Sequence, residues 1–586
     1  MARLLSTHRF GLVLAVVVCG CGSNPNTPGD TGAGVTGAGA TGATGAVGSG
    51  GTPGAAASGG AGAVGTGGGG GLSTGGTGSG GSPSGGAGGS VGGTGGSAGS
   101  AGGGGAPPVN LPPLVTSAPG AYWQTDGALT ESTESANVTV NDTATAQTWE
   151  GFGTSFNELG WSFLTSTQMQ NQAVTLLFSA SDGANFTWGR IPMGSSDYGV
   201  SRYTLADTGT DVVPESDESN RPPEDTSLTT FSLERDGQML IPFVKAAQVV
   251  KPDLRFWASP WTPPAWMKTG YKTNSGADGS QPANRPSYFD GGNMRDDSTI
   301  LTAYAEYFTR FVEGYRVQGI DIEVVSPQNE PGYDQNYPSC LWDSATYTTF
   351  IGQYLGPAMD SLGIGLMLGT MSNAGDGGRN DVNIANAVLA NATASGFLSV
   401  GGVQWGVLDE VNDGTRFGEL PIWATEHKAG NYPWNPAGSP AYNDSQAPND
   451  QAYAVESWGY IRNAILDGRV TSYSSWNAVL DSSGLGIDTT RDWKQNALLV
   501  AEGGTVTATP TYHVFRHFSQ YVAPGATVVG TTGGDAVAFN NPDGSLVVVM
   551  FNSGAANANY VVSIGGQNLQ FSMPENGWAT VKYTPQ

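Results

Sequence analysis

Cysteine and histidine are scarce in this 586-residue chain, with three of the first and four of the second. No grouping of them has metal-ligand spacing, and no glycine motif follows a strand in the manner of a nucleotide-binding loop. No cofactor or metal is therefore expected. Basic residues are also few: 24 Lys and Arg stand against 49 Asp and Glu, a formal net charge of −25. That balance disfavours nucleic acid and anionic lipid surfaces as partners. A neutral polysaccharide carries no charge for such acidity to repel.

Long apolar runs are lacking too. Phe10 to Cys19 is apolar for about ten residues, too short to span a bilayer as a mature helix. Behind the basic start Arg3, His8 and Arg9 it reads as a secretory signal. Val18-Cys19-Gly20-Cys21 has the form of a bacterial lipoprotein cleavage box, with Cys at its second position unusual. Residues 1–21 are then signal and box, and Cys21 becomes the lipidated N-terminus, several acyl chains giving a stable anchor. Ordinary signal cleavage nearby is the alternative. The expected location is a bacterial cell envelope, at the outer membrane, or release from it, with the lipid as the only contact to membrane. Residues 22–114 are Gly, Ala, Ser and Thr with hardly a charge or aromatic. They bury too little to offset ordering entropy and form a tether with an end-to-end distance on the order of 50 Å. With Cys19 removed and Cys21 acylated, Cys340 is alone and no internal disulfide can form.

The remainder suits a barrel with a smaller companion, and is read as a monomer. Residues 115–147 hold short strands, 148–523 a (β/α)8 barrel, and 524–586 a run of period two that argues an antiparallel β-sandwich which the early strands join. Buried-strand candidates are Thr148–Phe156, Phe186–Pro192, Leu254–Pro260, Ile322–Pro327, Gly365–Met371, Val400–Val407, Pro421–Thr425 and Val470–Trp476. Amphipathic stretches lie between them, such as Thr302 to Tyr315. Eight strands alternating with helices argue the barrel, an α/β fold.

Two of these strands end in glutamate. Ser326-Pro327-Gln328-Asn329-Glu330-Pro331 closes the fourth and Trp423-Ala424-Thr425-Glu426-His427 the seventh. A carboxylate at the C-terminal end of a buried strand is poorly placed for packing and well placed for chemistry, since that end is the active-site face of a barrel. The two are about 96 residues apart, three strand–helix units on, so their strands face each other across the mouth. Glu330 read alone could also cap the following helix.

The surrounding text resembles glycoside hydrolase family 30, which includes glucosylceramidase, β-1,6-glucanases and xylanases. Trp257-Ala258-Ser259-Pro260-Trp261-Thr262-Pro263-Pro264-Ala265-Trp266 carries the resemblance, with Gly151-Phe152-Gly153, Arg190-Ile191-Pro192-Met193-Gly194-Ser195-Ser196-Asp197-Tyr198 and Tyr337-Pro338-Ser339-Cys340-Leu341. It covers the chain from about residue 120 onward. The resemblance implies a retaining glycosidase with Glu330 as acid/base and Glu426 as nucleophile, about 5.5 Å apart. It further implies that Asn329 binds the sugar hydroxyl beside the reacting carbon and Glu158 the distal hydroxyls. Arg190 would orient the nucleophile or form a structural barrel ion pair. Trp261, Trp405 and Trp476 would stack on sugar or pack as core.

One departure stands out. The family's sixth strand typically ends His-Trp-Tyr, the Tyr bonding the nucleophile, and here it reads Gln404-Trp405-Gly406. Lys428, Tyr432 and Trp434 form a further subsite or pack their own loop. The expected function is hydrolysis of β-glucosidic linkages, in β-1,6-glucan or a glucosylceramide-like substrate. A xylan-directed enzyme and a catalytically weakened carbohydrate-binding surface protein are the alternatives. The side domain is expected to be structural rather than sugar-binding.

Overall fold

The eight apolar runs pair side by side and close on themselves in this computed structural model. It describes residues 113–209, 221–269, 288–333, 335–372, 381–410, 417–427, 451–488 and 495–585. Cys21, the signal, the tether and the Lys428, Tyr432 and Trp434 segment lie outside the described residues. The barrel strands are β1 (Gly151–Ser155), β2 (Trp188–Pro192), β3 (Arg255–Ser259), β4 (Ile322–Val325), β5 (Gly365–Met371), β6 (Leu398–Gln404), β7 (Ile422–His427) and β8 (Ser472–Asn477). They follow one another in order around a closed barrel, and their pairings are parallel. Of the expected strands, the sixth differs most. It stops at Gln404, and a short helix, Trp405–Glu410, begins at once.

Side-chain alternation along each strand divides the barrel into layers. Trp188, Trp257, Val324, Met367, Val400 and Trp423 meet inside it as an apolar plug. Two positions further along β2 and β3, the same inward side presents Arg190 and Ser259. On β6 the step from Val400 to Gln404 passes through Gly402. A Cβ there would lie 2.4 Å from the Met367 sulfur, so glycine lets the plug close beneath the polar layer. The outward residues Phe256, Ala258 and Ile191 join the larger core between strands and helices.

Helix Ser298–Val317 shows how that outer layer forms. Asp297 accepts hydrogen bonds from the Thr299 and Ile300 amides at 2.9 and 3.2 Å, capping its first turn. Ile300, Tyr304, Tyr307, Phe308, Phe311 and Tyr315 then recur at helical spacing and are buried.

The side domain is one ten-stranded sheet in which strands from before the barrel are interleaved with those after it. Its pairings are antiparallel except that between Val138–Thr148 and Ala558–Ile564, which is parallel. Alternation again sets two faces. Ala536, Ala538, Val548 and Met550 line the sheet's own core with Val562, Ile564 and Phe571, whereas Val537, Phe539, Val547 and Val549 face the barrel helices. Cys340 is buried and forms no disulfide among the described residues.

Helix Pro510–Ser519 joins barrel to sheet through two histidines. The ring nitrogens of His517 lie 2.8 Å from Ser117 Oγ and 2.9 Å from Thr580 Oγ1. His513 stacks on Tyr122 at 4.8 Å. Burial, helped by Arg516, lowers His513 to about 3 and drives His517 well below the usual imidazole value. Unfolded, both titrate near 6.5. Their contribution is therefore complete above that value and is lost as pH falls below it, at about 1.4 kcal/mol per unit for each ring. His513→Phe, which keeps the stack on Tyr122, should flatten the loss of melting temperature between pH 6.5 and 4.5. An unchanged slope would show that His513 is not held neutral by burial.

Candidate active site

The segment after β4 runs on as an irregular strand between its neighbours. The Asn329 amide donates to the Pro260 carbonyl at 2.8 Å and the Glu330 amide to the Thr370 carbonyl at 3.1 Å. Glu330 itself sits at φ 51°, a left-handed conformation rare for a residue with a side chain. Such local strain persists only where its surroundings enforce it, and it clusters at functional sites. Trp405, at the end of β6, is a second case, with φ 47°.

Arg190 is the centre of the polar layer. It is fully buried, and its guanidinium lies 4.3 Å from the Trp261 ring, 4.8 Å from Trp257 and 5.1 Å from Trp476. Nη1 donates to Glu426 Oε2 at 2.6 Å, and Nη2 to Asn329 Oδ1 at 2.6 Å. Nε and Nη2 also donate to Ser259 Oγ at 3.2 and 3.0 Å. One buried cation thus orients both the seventh-strand glutamate and the asparagine beside the fourth-strand one. A buried ion pair persists only with its remaining groups satisfied, and this one is well bonded.

Asn329 Oδ1 also accepts from Thr370 Oγ1 at 3.0 Å and from Gln404 Nε2 at 3.2 Å. Three donors fix which atom of the amide is oxygen. The Asn329 NH2 is then the part left for a ligand. Gln404 Nε2 also donates to Glu330 Oε1 at 3.0 Å, and Trp405 Nε1 to Glu426 Oε1 at 3.3 Å. Glu330, Glu426, Asn329, Arg190 and Trp405 are therefore brought into one network.

The two carboxyls are unequal. Burial pushes Glu330 up and the charge of Glu426 pushes it further, against the Gln404 hydrogen bond. Burial also raises Glu426, but the Arg190 charge pulls it back. Glu330 is thus the group that keeps its proton and Glu426 the one that ionises first. One protonated and one ionised carboxyl side by side can serve as acid and nucleophile in the same reaction.

Trp261 and Trp476 stack on each other at 5.0 Å, and they are 2% and 0% exposed. Their faces are taken up by Arg190 and by one another. They wall the site instead of offering open platforms. Trp405 is the partly exposed ring of the three.

Glu158 does not join this network. It opens helix Glu158–Phe163, and its carboxylate receives Arg235 at 3.0 Å and the Val200 amide at 2.9 Å. Asp197, in the loop after β2, takes a more central place. It is 4% exposed, and its charge acts on Arg190, Glu330 and Glu426 alike. The signal for it was its position just beyond the C-terminal end of a barrel strand. Ser259, Thr370 and Thr425 also stand near the C-terminal ends of barrel strands, but a hydroxyl there is no pointer to chemistry, and here they hold other side chains.

A model of the glycosyl hydrolase family 30 TIM-barrel domain matches residues 149–522, and one of the family 30 beta sandwich domain matches residues 525–581. A Caenorhabditis elegans protein named putative glucosylceramidase 4 is 28% identical over 450 residues, covering 72% of this chain and 78% of that one. The endo-1,6-beta-D-glucanase neg1 of Aspergillus fumigatus is 26% identical over 450 residues, covering 71% and 81%. Among solved structures, the endo-beta1,6-glucanase BT3312 superposes with a TM-score of 0.66 at 20% identity, over 81% of this chain and 99% of that one.

Proposed function

The chain belongs to glycosyl hydrolase family 30, and from that premise we propose that it is a retaining β-glycosidase cleaving the β-glucosidic linkages of an external β-1,6-glucan. The observation that carries the reading is the pair itself. Glu330, which burial and the charge of Glu426 favour in its protonated form, and Glu426, ion-paired to Arg190, are linked through Gln404 and Arg190 to a single asparagine. Relatives named as glucosylceramidases and endo-1,6-β-glucanases support the sugar and the linkage.

In this reading Glu426 attacks the anomeric carbon as Glu330 gives its proton to the departing glycosidic oxygen. The bond to that oxygen breaks and a glycosyl ester forms on Glu426. Esterification removes the charge of Glu426, so Glu330 can remain ionised. Glu330 then takes a proton from water, whose oxygen attacks the same carbon and releases Glu426. The Asn329 NH2 is suited to bind the neighbouring hydroxyl, a contact that tightens as positive charge develops.

The absent sixth-strand Tyr does not leave the nucleophile without a donor, since the Trp405 indole supplies one. That contact supports an active enzyme over a weakened binder. The purified full-length protein should hydrolyse an aryl β-glucoside and a β-1,6-glucan, and Glu330→Gln should not turn over the glucan. Binding of glucan without hydrolysis by the wild type would sink the reading. Attachment to the envelope through Cys21 is proposed on the sequence alone. Cys21→Ser should move the protein from the membrane fraction to the soluble one, and an unchanged distribution would exclude the anchor.

A further inference from the structure

Sequence and structure part company most sharply where β6 ends. Gln404 completes the strand opposite Glu426 of β7, just after a shift of register at Val403. Regular alternation would carry the chain straight on from there. Instead the backbone turns left-handed at Trp405, and helix Trp405–Glu410 starts. The turn delivers two adjacent side chains to two different carboxyls. The Gln404 amide reaches Glu330 Oε1 and the Trp405 indole reaches Glu426 Oε1.

The Gln404 amide has a fixed orientation. Its Oε1 accepts from Thr425 Oγ1 at 3.1 Å, while its Nε2 serves Glu330 and Asn329. Reversal would set its carbonyl against Asn329 Oδ1, an oxygen that already accepts from Arg190 and Thr370. Trp405 pays for its own placement with a backbone conformation that β-carbon sterics oppose.

We propose that Gln404 and Trp405 are a positioning pair that aims the two carboxyls and sets their protonation, the amide acting on Glu330 and the indole on Glu426. The proposal rests on the catalytic reading of those two glutamates. Neither donor titrates in the working range, so each favours the ionised form of its carboxyl at every pH. The charged groups facing the two glutamates are Arg190 from β2, Asp197 from the loop after it and Asp381 at the start of helix Asp381–Ala390, besides the glutamates themselves. They act on both or through longer range. The two donors act on one carboxyl each.

That selectivity gives a distinct signature in the pH dependence of kcat/KM on an aryl β-glucoside. Gln404→Leu removes a donor from the acid, whose pKa then rises. The alkaline limb should move up by about one pH unit while the acid limb stays. Trp405→Phe removes a donor from the nucleophile, so the acid limb should move up by about one unit and the alkaline limb stay. One variant widens the profile and the other narrows it. Both should lower kcat by about tenfold with little change in KM. Gln404→His keeps a donor and should bring kcat back toward wild type. Should Trp405→Phe fail to fold, Gln404→Leu and Gln404→His still decide the amide's part.

Loss of kcat in both Leu and Phe variants with neither limb moved would reduce the pair to packing and overturn the proposal. Glu330→Gln separates this from failure of the catalytic reading. Loss of the alkaline limb in Glu330→Gln, with no shift in Gln404→Leu, overturns the positioning role alone. Retention of that limb in Glu330→Gln overturns both.

Discussion

Glu426→Ala is expected to lose nearly all turnover, by about 10⁴-fold or more, and added azide should restore part of it as the α-glycosyl azide. The truncated side chain leaves room for a small anion on the face the carboxylate had used. Attack from that face inverts a β-linked substrate once, and no second displacement follows. The substitution also strands Arg190, which is fully buried and donates to Glu426 at 2.6 Å. Leaving one partner of a buried pair costs about 3–5 kcal/mol. Glu426→Gln retains an oxygen for Arg190 and serves as the control for folding. Wild-type turnover in a folded Glu426→Ala protein would remove the pair and leave the barrel untouched. Formation of the β-azide by that variant would instead exchange the two roles.

Glu330→Ala should split substrates by leaving group. Proton donation contributes about 10²–10⁴-fold, and an activated aryl group departs with little of it. The first step should then survive on a dinitrophenyl glucoside and fail on a glucan. Without the base, the glycosyl ester on Glu426 accumulates, and azide should intercept it as the β-azide. Arg190, Asn329 and Glu426 keep their mutual contacts in this variant, so the nucleophile remains oriented. An equal loss on activated and natural substrates would show that Glu330 does not act through proton transfer.

The barrel was legible because most of its strands fall in short apolar runs closed by turn residues, and because strand-end glutamates have little structural reason to exist. Gly365–Met371 coincides with its expected limits. Other strands shift by a residue or more at their ends, where hydrogen bonding, not composition, decides. The sequence carries the sixth strand through to Val407, since Trp405, Gly406 and Val407 continue an apolar text. Only the left-handed turn at Trp405 ends it, and no local signal marks that turn.

Strand Leu114–Ala118 is not marked in the sequence, and its first residue falls within the expected tether. Its partner, Gly577–Tyr583, lies at the far end of the chain, so local sequence could not reveal the pairing. The small sheet of Val479–Leu480, Leu499–Glu502 and Thr505–Ala508 was too short in each piece to read. At the site, the two glutamates and Asn329 were legible from motif and strand position. The ion pair of Glu158 with Arg235 was not, because 77 residues separate the two and only the fold brings them together. Asp197 shared the same strand-end signal as the glutamates, yet its neighbourhood emerges only once β2, β4 and β7 are set around one mouth.

The central claim is that a β-linked glucoside is cleaved through a covalent ester on Glu426. Proton NMR of the first-formed sugar, recorded during hydrolysis of an aryl β-glucoside before mutarotation, tests it most directly. Two displacements at one carbon predict that the β-anomer appears first and the α-anomer grows in later at the rate of spontaneous exchange. Appearance of the α-anomer first would mean a single displacement by water, and would contradict the account.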